Sequence, residues 1–371
     1  MIPTLHENLM SMTTWGLGGL GDALDIEVQW ALNGAYELVM QYPVTGRRFG
    51  DLAPRRLIRA GVGPDGEEDV FRIYRITAPL AGVCTVYARH LVYDLMGYTV
   101  RPFEAPGPAE AMQMLQNGAA VQEHAFQLSS DLTSETPYRL IAPRSIWHAM
   151  GGRRGSLLDV YGGEWRFKGQ TARLTARIGE DRGVRVRYGV NLKTLEQDTN
   201  IANTWTAVHP YWLSADEDTL VMLPEETISA GEFDHVRVME LDLSQEWPEP
   251  PTVDQLRARA RRYISDNQIG VPAVGMDVDF VPLNETVEYA HLTILQSVRG
   301  GDTVTVEFPT AYNEGGGPRA LAEASARATE TAWLPLQDRY RRIRLGDKRA
   351  DFVSAVVQLE KDTAWSIKHV R

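Results

Sequence analysis

The chain has 371 residues, 43% of them apolar and 23% charged, with a formal net charge of −11. That is too apolar for a disordered chain and long enough for two or three compact units. Its sign argues against non-specific binding to DNA or to an anionic membrane surface. No run approaches the eighteen apolar residues of a membrane span. Met1 to Met12 lacks a basic stretch ahead of an apolar core, so no signal peptide is expected. The single cysteine, Cys84, allows neither an internal disulfide nor a cysteine-rich zinc site.

The first hundred residues read as β-structure. Leu24 to Trp30 alternates apolar and polar residues, Asn33-Gly34 follows, and Tyr36, Leu38, Met40 and Tyr42 alternate again. This predicts a hairpin closed by a type I′ turn. Val70–Thr77 and Val83–Ala88, separated by Gly82, form a second expected pair, and Pro64 to Gly66 a turn before it. Together these predict a first small β-barrel over 1–100.

The character changes at Pro102, Pro106 and Pro108. Pro108 is suited to the first turn of a helix carrying Ala109, Met112 and Leu115 and stopping at Asn117-Gly118. A short helix is expected through Ile146, Trp147 and Met150. An α/β middle domain over 101–182 follows.

Alternation returns in Val184, Val186 and Tyr188, with further strands expected at Trp205–Trp212, Thr219–Leu223, Val236–Leu243, Val274–Phe280, Gly301–Phe308 and Arg341–Leu345. After the stiff segment Trp247-Pro248-Glu249-Pro250-Pro251, Thr252 and Gln255 fit a capping box, and Val253, Leu256, Ala260 and Tyr263 form one apolar stripe. Arg257, Arg259, Arg261 and Arg262 on that helix read as a solvated face before an anion site. Asn313 to Pro318 is expected as a loop, and alanine-rich Arg319 to about Glu330 as a helix. The result is a second β-barrel domain over 183–350 with a helical insertion at about 245–272, then a short C-terminal segment, 351–371. The fold class is β-rich α+β: two small antiparallel β-barrel domains with α/β insertions.

The sequence offers little chemistry. The eight histidines are scattered without a metal spacing. Cys84 lies in the apolar run Val83-Cys84-Thr85-Val86 and reads as a buried, inert thiol. Gly155-Ser156 is not part of a nucleophile elbow, and Asp216-Glu217-Asp218 lacks the rest of a calcium loop. The glycines of Trp15 to Gly21 lack the strand and helix of a dinucleotide site. No catalytic residue, cofactor or metal site is expected.

Several strings in succession carry a resemblance. They are Phe71-Arg72-Ile73-Tyr74-Arg75-Ile76, Val86 to Leu95, Pro143-Arg144-Ser145 and Gly151-Gly152. After them come Gly155-Ser156-Leu157-Leu158-Asp159-Val160-Tyr161-Gly162-Gly163-Glu164-Trp165, then Arg187-Tyr188-Gly189-Val190-Asn191-Leu192, then Ile343 to Asp347. Their order over roughly 22 to 350 resembles the N-terminal region of phage minor tail proteins, the prophage tail endopeptidase or tail-associated lysin family. The most specific part is 155–165, and Gly155, Ser156, Leu157, Asp159, Tyr161, Gly162, Gly163, Arg187, Tyr188 and Asn191 are the motif residues expected to act structurally.

The resemblance implies a baseplate-hub fold and a homotrimer in the virion tail tip, where two similar barrels per subunit would imitate sixfold symmetry. It implies a distal tail or tail-tube protein and a tip or receptor-binding protein as partners, and roles in host-cell attachment and genome ejection. The family's endopeptidase name transfers poorly, since little chain follows Leu345-Gly346-Asp347. A tail-associated cell-wall hydrolase and the hub of a phage-tail-like injection system stay open as alternatives.

Overall fold

The computed structural model describes residues 1–64, 66–79, 81–118, 124–187, 192–200, 205–214, 218–244, 246–267, 269–270, 273–280, 298–312 and 318–346. The N-terminal strands are β1 (Thr4–His6), β2 (Gly18–Gly19), β3 (Asp25–Ala31), β4 (Tyr36–Pro43), β5 (Leu57–Gly61), β6 (Glu68–Ile76) and β7 (Val83–His90). Period-two burial in β7, with Cys84, Val86, Ala88 and His90 inward, shows why this sequence is a strand: one face is core and the other meets solvent. The β3–β4 hairpin forms as expected, but its loop is Leu32–Ala35 and only Asn33 has positive φ, at 46°. It is therefore not the two-residue type I′ turn, because Ala31 N donates to Ala35 O across a wider loop.

The middle segment contains β8 (Thr99–Val100), β9 (Phe103–Ala105), α1 (Pro108–Asn117), β10 (Gln127–Ser130), β11 (Tyr138–Leu140), β12 (Arg144–Ser145), α2 (Ile146–Met150), α3 (Leu157–Tyr161), β13 (Glu164–Lys168) and β14 (Thr171–Thr175). Pro108 starts α1 as anticipated; Ala111, Met112 and Leu115 form its buried stripe, while Ala109 is exposed. Strands β10, β14 and β13 make a three-stranded sheet whose inward Leu128, Leu174 and Trp165 join the core of the N-terminal strands.

Beyond it come β15 (Asp181–Arg187), β16 (Leu192–Asn200), β17 (Ala207–Leu213), β18 (Leu220–Met222), β19 (Ile228–Ser229), β20 (Val238–Asp242), α4 (Val253–Asp266), β21 (Ala273–Phe280), β22 (Thr303–Tyr312), β23 (Pro318–Leu334) and β24 (Arg339–Gly346). Strands β17 to β20 carry α4 on one face, with Val208, Trp212, Leu241, Leu256 and Ala260 in a separate small core. The capping box is present, with Gln255 N donating to Thr252 Oγ1 and Thr252 N donating to Gln255 Oε1.

The stretch expected as an alanine-rich helix is strand β23. Alanine occupies every second position from Ala320 to Ala328, and Ala326 and Ala328 are buried against Val304 and Val306. Pairing with β22, β24 and β3 overrides the helical propensity of alanine. Through the β23–β3 pair the N-terminal strands and the C-terminal strands β16, β21, β24 and β23 belong to one continuous curled half-barrel sheet. The β-rich α+β class is thus the one the chain adopts.

Candidate functional site at the 153–165 junction

The 155–165 string folds as a one-turn helix between two tight backbone passages. Ser156 caps α3, its Oγ accepting the Asp159 N–H, while Asp159 Oδ2 accepts the Gly155 N–H at 2.8 Å. Leu157 is fully buried, and Tyr161 donates its hydroxyl to Thr136 O at 2.9 Å. Gly162 ends the helix with φ 67° and ψ −151°, a positive-φ conformation that glycine adopts at least cost. Gly163 follows at φ 88°, and a Cβ there would lie 2.6 Å from Thr175 O. The structural role expected for this glycine pair therefore falls most heavily on Gly163.

Three non-local contacts converge on the string. Asn33 at the β3–β4 loop donates to Gly163 O and accepts from Trp165 N. Glu164 forms a two-pronged ion pair with Arg327 of β23, at 2.6 and 2.9 Å. Arg154 reaches the α4-bearing sheet, 3.3 Å from Asp242 and 3.1 Å from Glu240 O. One short segment thus touches the N-terminal strands, the C-terminal strands and the small α4 unit.

Between the string and the α4 unit lies a cleft of about 180 Å³, walled by Arg154, Asp159, Asp242, Glu246, Arg259 and Tyr263. Arg259 clasps Glu246 at 2.6 and 2.7 Å. Burial pushes the Glu246 carboxyl above its usual range, against the pull of Arg259. Asp159 keeps an exposed edge, yet the protein packed around it raises its carboxyl too, against the Gly155 N–H. Burial works the same way on Asp242, but the Ser244 hydroxyl and N–H, together with Arg154, hold it below the usual range. The Arg259–Glu246 and Arg154–Asp242 pairs line part of the cleft, and Pro137, Val160, Met239, Leu241 and Leu243 line another part.

A second buried network escaped the sequence reading. Asp69 is 4% exposed; its Oδ1 accepts Val70 N, Gly169 N at 2.8 Å and His90 Nε2 at 2.9 Å, and its Oδ2 accepts the Tyr36 hydroxyl at 3.1 Å. Val92 N donates to His90 Nδ1, so the ring proton sits on Nε2 and faces the carboxylate. Burial alone would raise Asp69; His90, Gly169 and Val70 outweigh it and hold the carboxyl low. Burial and Asp69 push the Tyr36 phenol well up. The only sequence signal was His90 at the end of an alternating strand.

Arg187 ends β15, and Tyr188 and Asn191 lie outside the described residues, as do Asp216, Glu217, the 313–317 loop and 351–371. Cys84 is buried, and burial raises its thiol. On α4, Arg257 pairs with Glu225 and Asp254. Among the described residues no three His, Cys, Asp or Glu side chains converge as a metal would require, and no helix is long and apolar enough to cross a membrane.

No family model and no curated protein matches the sequence. Solved structures do match. A prophage tail protein, gp18, from Listeria monocytogenes superposes with a TM-score of 0.58 at 14% identity over 97% of this chain and 99% of that one. A tail protein from Neisseria meningitidis gives 0.57 at 11% identity over 95% and 98%. The 43 kDa tail protein of prophage MuSo2 from Shewanella oneidensis gives 0.54 at 11% identity over 95% and 100%. These matches run almost end to end in both partners, and so the chain has the fold of prophage tail proteins.

Proposed function

We propose that this chain is a structural protein of a phage tail, located at the tail tip or baseplate, where three copies form a hub between a sixfold tail tube and a threefold tip. The observation that carries the reading is the near full-length fold correspondence with three proteins described as tail proteins. The junction geometry supports it. An adaptor must transmit load without its parts shifting, and the 154–165 segment ties three parts of the subunit together through Asn33, Glu164–Arg327 and Arg154–Asp242. Its partners in this reading are further copies of itself, a distal tail or tail-tube protein, and a tip or receptor-binding protein. It has no catalytic role of its own. An acidic chain of net charge −11 also suits a passage for DNA, since a negative wall does not hold a polyanion.

Mass measurement in solution, together with assembly onto purified tail tubes, tests the proposal. A mass of three chains, or trimers appearing on the tube, is the expected result. A chain that stays monomeric in both settings overturns it. Lysis of peptidoglycan in a zymogram by this chain alone would replace the structural reading with that of a cell-wall hydrolase.

A further inference from the structure

A groove of about 450 Å³ opens where the β3–β4 region, the β13–β14 sheet and the segment leading into β15 meet. That volume is of the order of a small-ligand or short-peptide site. Five arginines line it: Arg166, Arg173, Arg177, Arg182 and Arg299. Three of them answer carboxylates, Arg173 with Asp131 at 3.0 Å, Arg182 with Asp302 at 3.1 Å and Arg299 with Glu67 at 3.7 Å. Among the described residues the other two do not. Arg177 donates to the Thr303 hydroxyl at 2.6 Å, and among the described residues Arg166 has no ion-pair partner.

Arg166 on β13 lies directly opposite Arg173 on β14. Both are exposed, and Lys168 follows on the same face. Like charges directly opposite on neighbouring strands destabilise the pair. The fold keeps that cost beside a groove, in a chain whose net charge is −11.

We propose that this groove binds an acidic peptide segment of a partner protein, with carboxylates seated on Arg166 and Arg177. Guanidinium forks match carboxylates two-prongedly. Side chains two residues apart on an extended segment lie about 6.5 Å from one another and point the same way, so a strand with acids at alternate positions presents all of them to one wall of the groove. The lining also holds Glu67, Asp131, Glu180 and Asp302 between the arginines. That mixed pattern disfavours a phosphate backbone, which brings negative charge at every step, and suits a peptide, whose N–H groups serve those carboxylates. The groove lies within one subunit, so the proposal is independent of the trimer and is tested on the chain in any oligomeric state.

The experiment is fluorescence anisotropy at low salt with the full chain. The probes are a labelled peptide of alternating Glu and Thr, the same peptide with Lys for Glu, and a labelled 12-mer of oligo-dT. The acidic peptide is expected to bind and the basic one not to. The double variant Arg166→Glu/Arg177→Glu is expected to weaken the acidic peptide at least about tenfold, as loss of paired charges does, while Arg101→Glu, an exposed arginine outside the lining, leaves it unchanged. Thermal melting confirms that both variants fold; if the double variant does not, Arg166→Gln alone, expected to weaken binding in the same direction, takes its place. Absence of acidic-peptide binding, or binding indifferent to the groove variants, overturns the proposal. Preference for oligo-dT over the peptide overturns it in favour of a nucleic-acid groove.

Discussion

Asn33 Oδ1 accepts the Trp165 N–H at 2.7 Å while Asn33 Nδ2 donates to Gly163 O at 2.9 Å. A single amide thus satisfies two backbone groups 130 and 132 positions away in the chain. Asn33 is 2% exposed and Trp165 1%, so the bridge is shielded from bulk water. Asn33 also holds φ 46°, a conformation asparagine tolerates better than alanine.

Asn33→Ala is therefore expected to cost about 2–4 kcal/mol, because a buried donor and a partly buried acceptor both lose their partner. Asn33→Gly separates the two contributions. Glycine relieves the backbone but restores neither hydrogen bond, so it should be nearly as destabilising as alanine in urea unfolding. A glycine variant as stable as the parent would show that backbone conformation, not the bridge, is what asparagine supplies.

Adjacent glycines should respond very differently. At Gly162 a new Cβ meets open space, so Gly162→Ala pays only for its positive φ with extended ψ, about 1–3 kcal/mol. At Gly163 the Cβ would sit 2.6 Å from the Thr175 carbonyl, which belongs to the β13–β14 ladder and cannot swing aside. Gly163→Ala should cost about 3 kcal/mol or more. Equal melting points for the two variants would contradict this difference.

Asp69 predicts acid sensitivity. Its carboxyl is held below the ordinary value of about 3.9. A depressed folded-state value means stability that is complete above the unfolded-state value and is lost as pH falls from there through the folded one. Asp69→Asn turns one acceptor oxygen into a donor among His90, Tyr36, Val70 and Gly169, with an expected loss of about 2–4 kcal/mol near neutrality. Unfolding free energies of the two proteins should converge below pH about 4. Parallel curves down to pH 2 would remove Asp69 from the account.

Much of the fold was legible where the signal is local. The alternation of β7, the capping box of α4 and the proline start of α1 each lie within a few residues of the structure they specify. β23 was misread because alanine favours helix, although alanine at every second position from 320 to 328 is a period-two pattern. The junction was partly legible: the double glycine stood out, but Asn33 and Arg327 did not. Their partners are more than a hundred residues away, and a hydrogen bond across that separation leaves no periodicity in the chain. The arginine groove was invisible for the same reason, being assembled from β13, β14, β15 and the turn before β22.

The Glu164–Arg327 pair lets the lock between the motif and β23 be measured directly. Arg327 also donates to Ile178 O at 3.0 Å and Gly301 O at 3.2 Å, and Glu164 Oε2 accepts the Ile178 N–H at 2.7 Å. The side chains are only 20% and 13% exposed, so this is neither a surface pair nor a fully desolvated one. Single replacements, Glu164→Gln and Arg327→Gln, each strand a partly buried charge. A double-mutant cycle should therefore give a coupling of about 1–2 kcal/mol, within the range for contacting residues. The coupling should persist in 0.5 M salt, since screening acts mainly on exposed charges. A coupling near zero, or one abolished by salt, would mean that β23 is held to the motif by strand pairing and packing rather than by this ion pair.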